Sequence, residues 1–141
     1  MKRMLWILVV CAGAIGLQAQ AGDAKVTYIG RDTVAKGGTL LTAKNVIVQV
    51  NTRTEAGQAE MHDKELDTFY ILEGSATFLT GGEMVEPTLL SPGQHRGTGL
   101  KGGQVHQLGK GDVMVIPAGL PHWFKEVPKS VTYYVVKVVT P

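Results

Sequence analysis

The chain has 141 residues, 44% hydrophobic and 18% charged, which suits one packed domain and excludes a disordered tail. Its 14 Lys+Arg against 12 Asp+Glu give a net charge of +2; Lys2 and Arg3 fall in a candidate leader, and without them the balance is 12 against 12. No basic run or stripe remains to neutralise phosphates, so nucleic-acid binding is not expected.

Residues 1–21 read as an export signal. Lys2-Arg3 form a positive start, residues 4–17 are uncharged and apolar, and Ala19-Gln20-Ala21 is a small-x-small cleavage site before Gly22. The apolar run, about 14 residues, is shorter than the roughly 20 that span a bilayer. Cys11 is the only cysteine and would leave with the leader, because Leu8-Val9-Val10 before it does not suit lipidation. The mature chain, residues 22–141, is then a single periplasmic or secreted domain. It has no membrane partner, no disulfide and no thiol chemistry.

Residues 31–36 precede Gly37-Gly38 and predict one short helix with a glycine stop. Strands follow. Val46, Val48 and Val50 alternate with Asn45, Ile47 and Gln49. Residues 68–72 and 76–80 are predicted to form a hairpin across Glu73-Gly74. Residues 81–103, with Pro87, Pro92 and several glycines, predict a long loop. Residues 104–108, Val113–Ile116, 122–125 and Val131–Val139 predict further strands, the last also a candidate dimer edge. Eighteen glycines between short apolar runs point to an all-β sandwich or barrel.

Two segments carry chemistry. In the first, Glu60 and His62 share a strand face, and a turn over residues 63–66 could return Asp67 towards His62. In the second, a strand ends at Pro117-Ala118-Gly119 and His122 opens the next. Two imidazoles with carboxylate suit Mn, Fe, Ni, Cu or Zn. His62, His122 and Asp67 are the candidate ligands, with Glu60 as a fourth. Asp63 and Glu65 are expected to be solvated turn charges, and Asp67 has a competing role as a turn cap beside Lys64. His95 is expected in an exposed loop. His106 is a candidate for pointing inward. Arg96 is expected at the surface, the alternative being a reach over a pocket mouth to an anionic substrate. Phe69, Ile71 and Phe124 should line the interior, and Trp123 should face away from His122.

These segments resemble the cupin family. Gly111, Pro117, Gly119 and His122 fit the second cupin motif, Gly-x5-Pro-x-Gly-x2-His, although Glu126 stands where Asn is frequent. Asp67, six residues and Gly74 fit the end of the first motif, with Asp for Glu. His62 fits its second histidine, and Glu60 replaces its first. The resemblance spans about residues 60–126. It implies a small antiparallel β-barrel of jelly-roll type, with the motif residues holding a divalent metal inside. It also implies a small-molecule ligand or substrate and a possible homodimer. An oxygenase, isomerase or lyase, a non-catalytic binding protein, and a structural domain with a degenerate metal site all remain open, because function resides in the site and not the fold.

Overall fold

The computed structural model describes residues 25–140. The candidate leader lies outside the described residues. One helical turn, α1 (Arg31–Val34), comes first and is capped by Ala35; Gly37 then turns the chain with a φ of 71° that suits glycine. Twelve strands follow: β1 (Gly38–Thr42), β2 (Val46–Arg53), β3 (Ala59–His62), β4 (Glu65–Thr80), β5 (Glu83–Val85) and β6 (Thr88–Ser91), then β7 (Gln94–Gly97), β8 (Gly99–Lys101), β9 (Gln104–Gly109), β10 (Val113–Ile116), β11 (His122–Glu126) and β12 (Val131–Val139).

All pairings are antiparallel, and β4 belongs to both faces of the barrel. Its first half pairs with β12 and β10, in a face that continues through β2 to β1. Its second half pairs with β9 and β11, in a face that continues through β3 and β7 to β6. Strands β5 and β8 form a separate ribbon.

Residues 68–72 and 76–80 therefore do not form a hairpin; they are one strand. Gly74 is the corner at which that strand changes partners. Its φ is 79°, and a Cβ there would lie 2.0 Å from the Ser130 carbonyl oxygen. The glycine marks a bend and a close backbone approach, not a chain reversal.

Residues 81–103 are not a loop either, since they hold β5 to β8. These strands are three or four residues long and β6 is exposed throughout, so hydrophobic alternation could not announce them. Val131–Val139 is an interior strand between β2 and β4, with no free edge for a dimer.

The core follows strand parity. Phe69 and Ile71 from β4, Phe78 beyond the corner, Phe124 from β11, and Val131, Tyr133 and Val135 from β12 are buried together. Phe69 stacks on Phe124 at 5.9 Å, and Phe124 meets Phe78 edge-on at 4.6 Å. Trp123 faces the other way from His122, as expected. It packs with Ala59, Leu79 and Leu100 and donates its indole N–H to the Gly57 carbonyl at 2.7 Å.

Candidate metal centre and ligand pocket

The aromatic core closes one end of the barrel interior, and the other end is a polar pocket of about 440 Å³. The β3/β7 face contributes Glu60, His62, Gln94 and Arg96, and His122 of β11 lines a small adjoining cavity that shares Arg53, Glu60 and Phe69 with it. Glu60 lies across from both His122 and Arg96, and His62 across from Gln94. The opposite face contributes Asp67 from β4, Lys137 from β12 and Gln49, Asn51 and Arg53 from β2. Lys137 pairs directly with Asp67, and Val135 with Phe69, so Lys137 continues the inward row of Val131, Tyr133 and Val135.

The structure brings together all four residues singled out in the sequence. His62, Asp67 and His122 are 3%, 1% and 4% exposed. His62 Nε2 is 3.5 Å from Glu60 Oε2 and 3.6 Å from Asp67 Oδ2, and His122 Nε2 is 3.8 Å from Asp67 Oδ2. Four ligands about 2.1 Å from an ion sit roughly 3.4 Å from one another, so this spacing suits a small divalent cation.

The hydrogen bonds behind the imidazoles fix which nitrogen faces inward. The backbone carbonyl of Leu120 takes the His122 Nδ1 proton at 3.1 Å. His122 Nε2 is left buried without any partner. The His62 Nδ1 proton goes to Gln94 Oε1 at 2.6 Å, and Gln94 Nε2 in turn donates to Glu65 Oε1 at 2.8 Å. Both rings thus turn an Nε2 lone pair inward, His62 between Glu60 and Asp67 and His122 towards Asp67, as outer partners enforce at metal-binding histidines. Burial pushes the His122 pKa down, the Leu120 carbonyl opposing only in part, so the ring stays neutral as a metal ligand must be.

Glu60 is charged. Burial opposes its ionised form, but the guanidiniums of Arg96 and Arg53 favour it, and its pKa falls to about 2, against an ordinary 4.5. Glu60, His62 and His122 form one compact group of potential ligands; His62, Glu65 and Asp67 form a second.

Lys137 occupies the second of these groups. Its ammonium donates to Asp67 Oδ1 and Oδ2 at 2.9 and 2.8 Å and to His62 Nε2 at 3.2 Å, and lies 3.1 Å from Glu65 Oε2. Asp67 is therefore held by Lys137 and does not cap a turn beside Lys64. Glu65 is drawn into the same network and is not a solvated turn charge. Asp63 does remain at the exposed turn, where its Oδ1 meets His95 Nε2 at 2.8 Å. His106 bonds Thr80 Oγ1 at 2.8 Å and does not line the pocket. Arg96, expected at the surface, lines the pocket opposite Arg53.

Sequence reasoning missed Lys137, Gln94 and Arg53. Lys137 had a usable signal, the parity it shares with Val131, Tyr133 and Val135 on a β-branched strand. Gln94 and Arg53 had none, because single polar residues near strand ends are ordinary surface composition.

The Cupin family model matches residues 25–141. The chain belongs to the cupin family. No curated protein matches the chain. Among solved structures, a Bacillus halodurans protein aligns with TM-score 0.60 and 12% identity over 84% of this chain and 86% of its own. The Schizosaccharomyces pombe Cnp3 cupin domain aligns with TM-score 0.54 and 12% identity over 74% of this chain, which spans 60% of that one. A cupin with an RmlC-like double-stranded β-helix fold from Methanocaldococcus jannaschii gives TM-score 0.52 and 13% identity, covering 84% and 93%. At these identities the likeness concerns the fold.

Proposed function

We propose that the barrel of this cupin binds a divalent metal ion through Glu60, His62 and His122, and that the pocket above the ion receives a small molecule. The observation that carries this reading is the His122 Nε2 lone pair, buried without a partner and aimed at the same space as His62 Nε2 and Glu60. An acceptor left unmade in a protein interior costs about 1–3 kcal/mol, and a cation would satisfy it. Lys137 would have to withdraw for an ion to take His62 Nε2, and Asp67 could then join the ligand set. A bound ion would supply Lewis-acid chemistry, or an oxygen-binding centre if it is redox-active. The chain's own groups would orient the ligand and exclude water around it.

The test is metal content by mass spectrometry, after purification from medium replete in Mn, Fe, Ni, Cu and Zn. Near-stoichiometric metal in the wild type and its loss in His122→Ala are expected. Full stoichiometry in the variant would place the ion elsewhere.

Lys137 favours a second reading, in which its ammonium is the resident cation and the pocket binds its ligand without metal. Wild-type protein that remains metal-free after dialysis against each ion would select that reading.

Export belongs to the proposal as well. Residues 1–21 carry the charge, apolar run and small-x-small site that support cleavage before Gly22. The intact mass of protein recovered from the periplasm or medium is the check, and a species still starting at Met1 in the cytoplasm refutes it.

A further inference from the structure

The reading that this pocket takes a small molecule leaves the class of molecule open. We infer that the ligand carries a carboxylate and that Arg53 and Arg96 bind it.

The two guanidiniums come from opposite faces of the barrel, Arg53 from β2 and Arg96 from β7, and converge on a single carboxylate. Arg53 Nη2 is 3.4 Å from Glu60 Oε1, and Arg96 Nη2 is 3.7 Å from Glu60 Oε2. Both distances exceed the 2.7–2.9 Å typical of a charge-assisted N–H···O bond, so Glu60 saturates neither arginine. Their other contacts hold them in place. Arg53 Nε donates to the Tyr133 hydroxyl at 3.1 Å, and its guanidinium lies 5.1 Å from the Phe124 ring centroid. Arg96 Nη1 donates to the His95 carbonyl at 2.8 Å. The side chains of Arg53 and Arg96 keep 29% and 21% of their exposure, on the pocket they line.

The charge balance points the same way. Asp67 and Glu65 are committed to Lys137. Glu60 alone faces two guanidiniums, so although Arg53, Arg96 and Lys137 balance Glu60, Glu65 and Asp67 overall, the arginine end is locally one negative charge short and the Lys137 end one positive charge short. A metal ion drawing on Glu60 would deepen that deficit. In a half-open pocket walled by protein such a deficit attracts an anion more strongly than it would in water. The Glu60 carboxylate also shows which anion fits, since a planar two-oxygen group already bridges both guanidiniums. The pocket, about 440 Å³, falls in the size range of small-molecule sites and has room for a small organic acid.

The test titrates acids against their amides, pairs of nearly equal shape that differ in charge: acetate and acetamide, lactate and lactamide, succinate and succinamide. Binding to the full mature chain is read by ligand-observed NMR, with metal content measured on the same samples. The best acid should bind at least tenfold more tightly than its amide. The preference should fall below threefold in the Arg53→Gln/Arg96→Gln double variant with its circular dichroism unchanged. In metal-free protein, Glu60→Gln should tighten acid binding several-fold, because both guanidiniums lose their resident carboxylate. Amides binding as tightly as acids would overturn the inference and leave the small-molecule reading standing. A preference that survives the double variant, or acid binding weakened by Glu60→Gln, would also overturn it. If neither acids nor amides bind, the small-molecule reading itself fails and takes the inference with it.

Discussion

Replacing Lys137 with methionine separates the two roles that its ammonium combines. In metal-free protein the lysine is the cation for Asp67, which is 1% exposed and accepts from Nζ through both oxygens at 2.9 and 2.8 Å. Methionine keeps the length and apolar stem but leaves that carboxylate buried without its partner. Breaking a buried pair from one side costs about 3–5 kcal/mol. For a domain near this size, that lowers Tm by roughly 10 °C or more. The effect on metal has the opposite sign. Lys137 Nζ lies 3.2 Å from His62 Nε2, the nitrogen a metal would take. A divalent ion about 4 Å from that ammonium meets a repulsion of order 8 kcal/mol at an effective dielectric of 20. Swinging the lysine aside relieves most of it, so removing the charge should tighten zinc binding at least tenfold. The assay is urea denaturation of Lys137→Met with a chelator and with saturating zinc, beside a zinc titration by calorimetry. Weaker fold without metal and a larger gain from zinc than in the wild type are expected. Lys137→Met/Asp67→Asn should regain most of the lost stability, because both charges leave together. A Lys137→Met protein as stable as the wild type in chelator would refute the account of the Asp67 pair. Unchanged or weaker zinc affinity would refute the competition.

The acid limb of stability should reflect Glu60 and His122. The Glu60 pKa is held at about 2 when folded, against 4.5, so its contribution is present above about pH 4.5 and is lost as pH falls towards 2. The His122 pKa is lowered by burial, so proton uptake by the unfolded chain weakens the fold as pH drops below its ordinary 6.5. Both act in one direction, and urea midpoints at pH 7, 5 and 3.5 should fall in that order, with a shallower acid limb in Glu60→Gln. His95→Ala should leave metal stoichiometry unchanged by mass spectrometry, because its partner is Asp63 at the exposed turn. Gly74→Ala should destabilise by several kcal/mol in chemical denaturation, since its Cβ would sit 2.0 Å from the Ser130 oxygen at a φ of 79°.

How much of this was legible in the sequence follows from how far each signal reaches along the chain. The Pro117-x-Gly119 turn and His122 are local: the turn restricts its own backbone, and the Gly119 N–H bonds the His62 carbonyl at 2.7 Å, tying the two motifs together. Glu60 and His62 share a face by strand parity alone. In sequence Gly74 predicts a hairpin, because a glycine between two apolar runs looks the same whether the chain reverses or bends. Only the Ser130 carbonyl, distant in sequence, decides which. The short strands between residues 81 and 103 carry too few inward residues for a period to emerge. Lys137 shows the deepest limit. Its inward parity was readable, but a lysine on an inward row means burial only when carboxylates wait opposite it, and the register that sets it against Asp67 spans 70 residues. A motif scan finds groups that could hold a cation and does not see a cation the chain itself supplies. If the barrel binds a metal as proposed, its affinity turns on a competition between the ion and Lys137, and the placing of that lysine became legible only once β12 was seen to lie between β2 and β4.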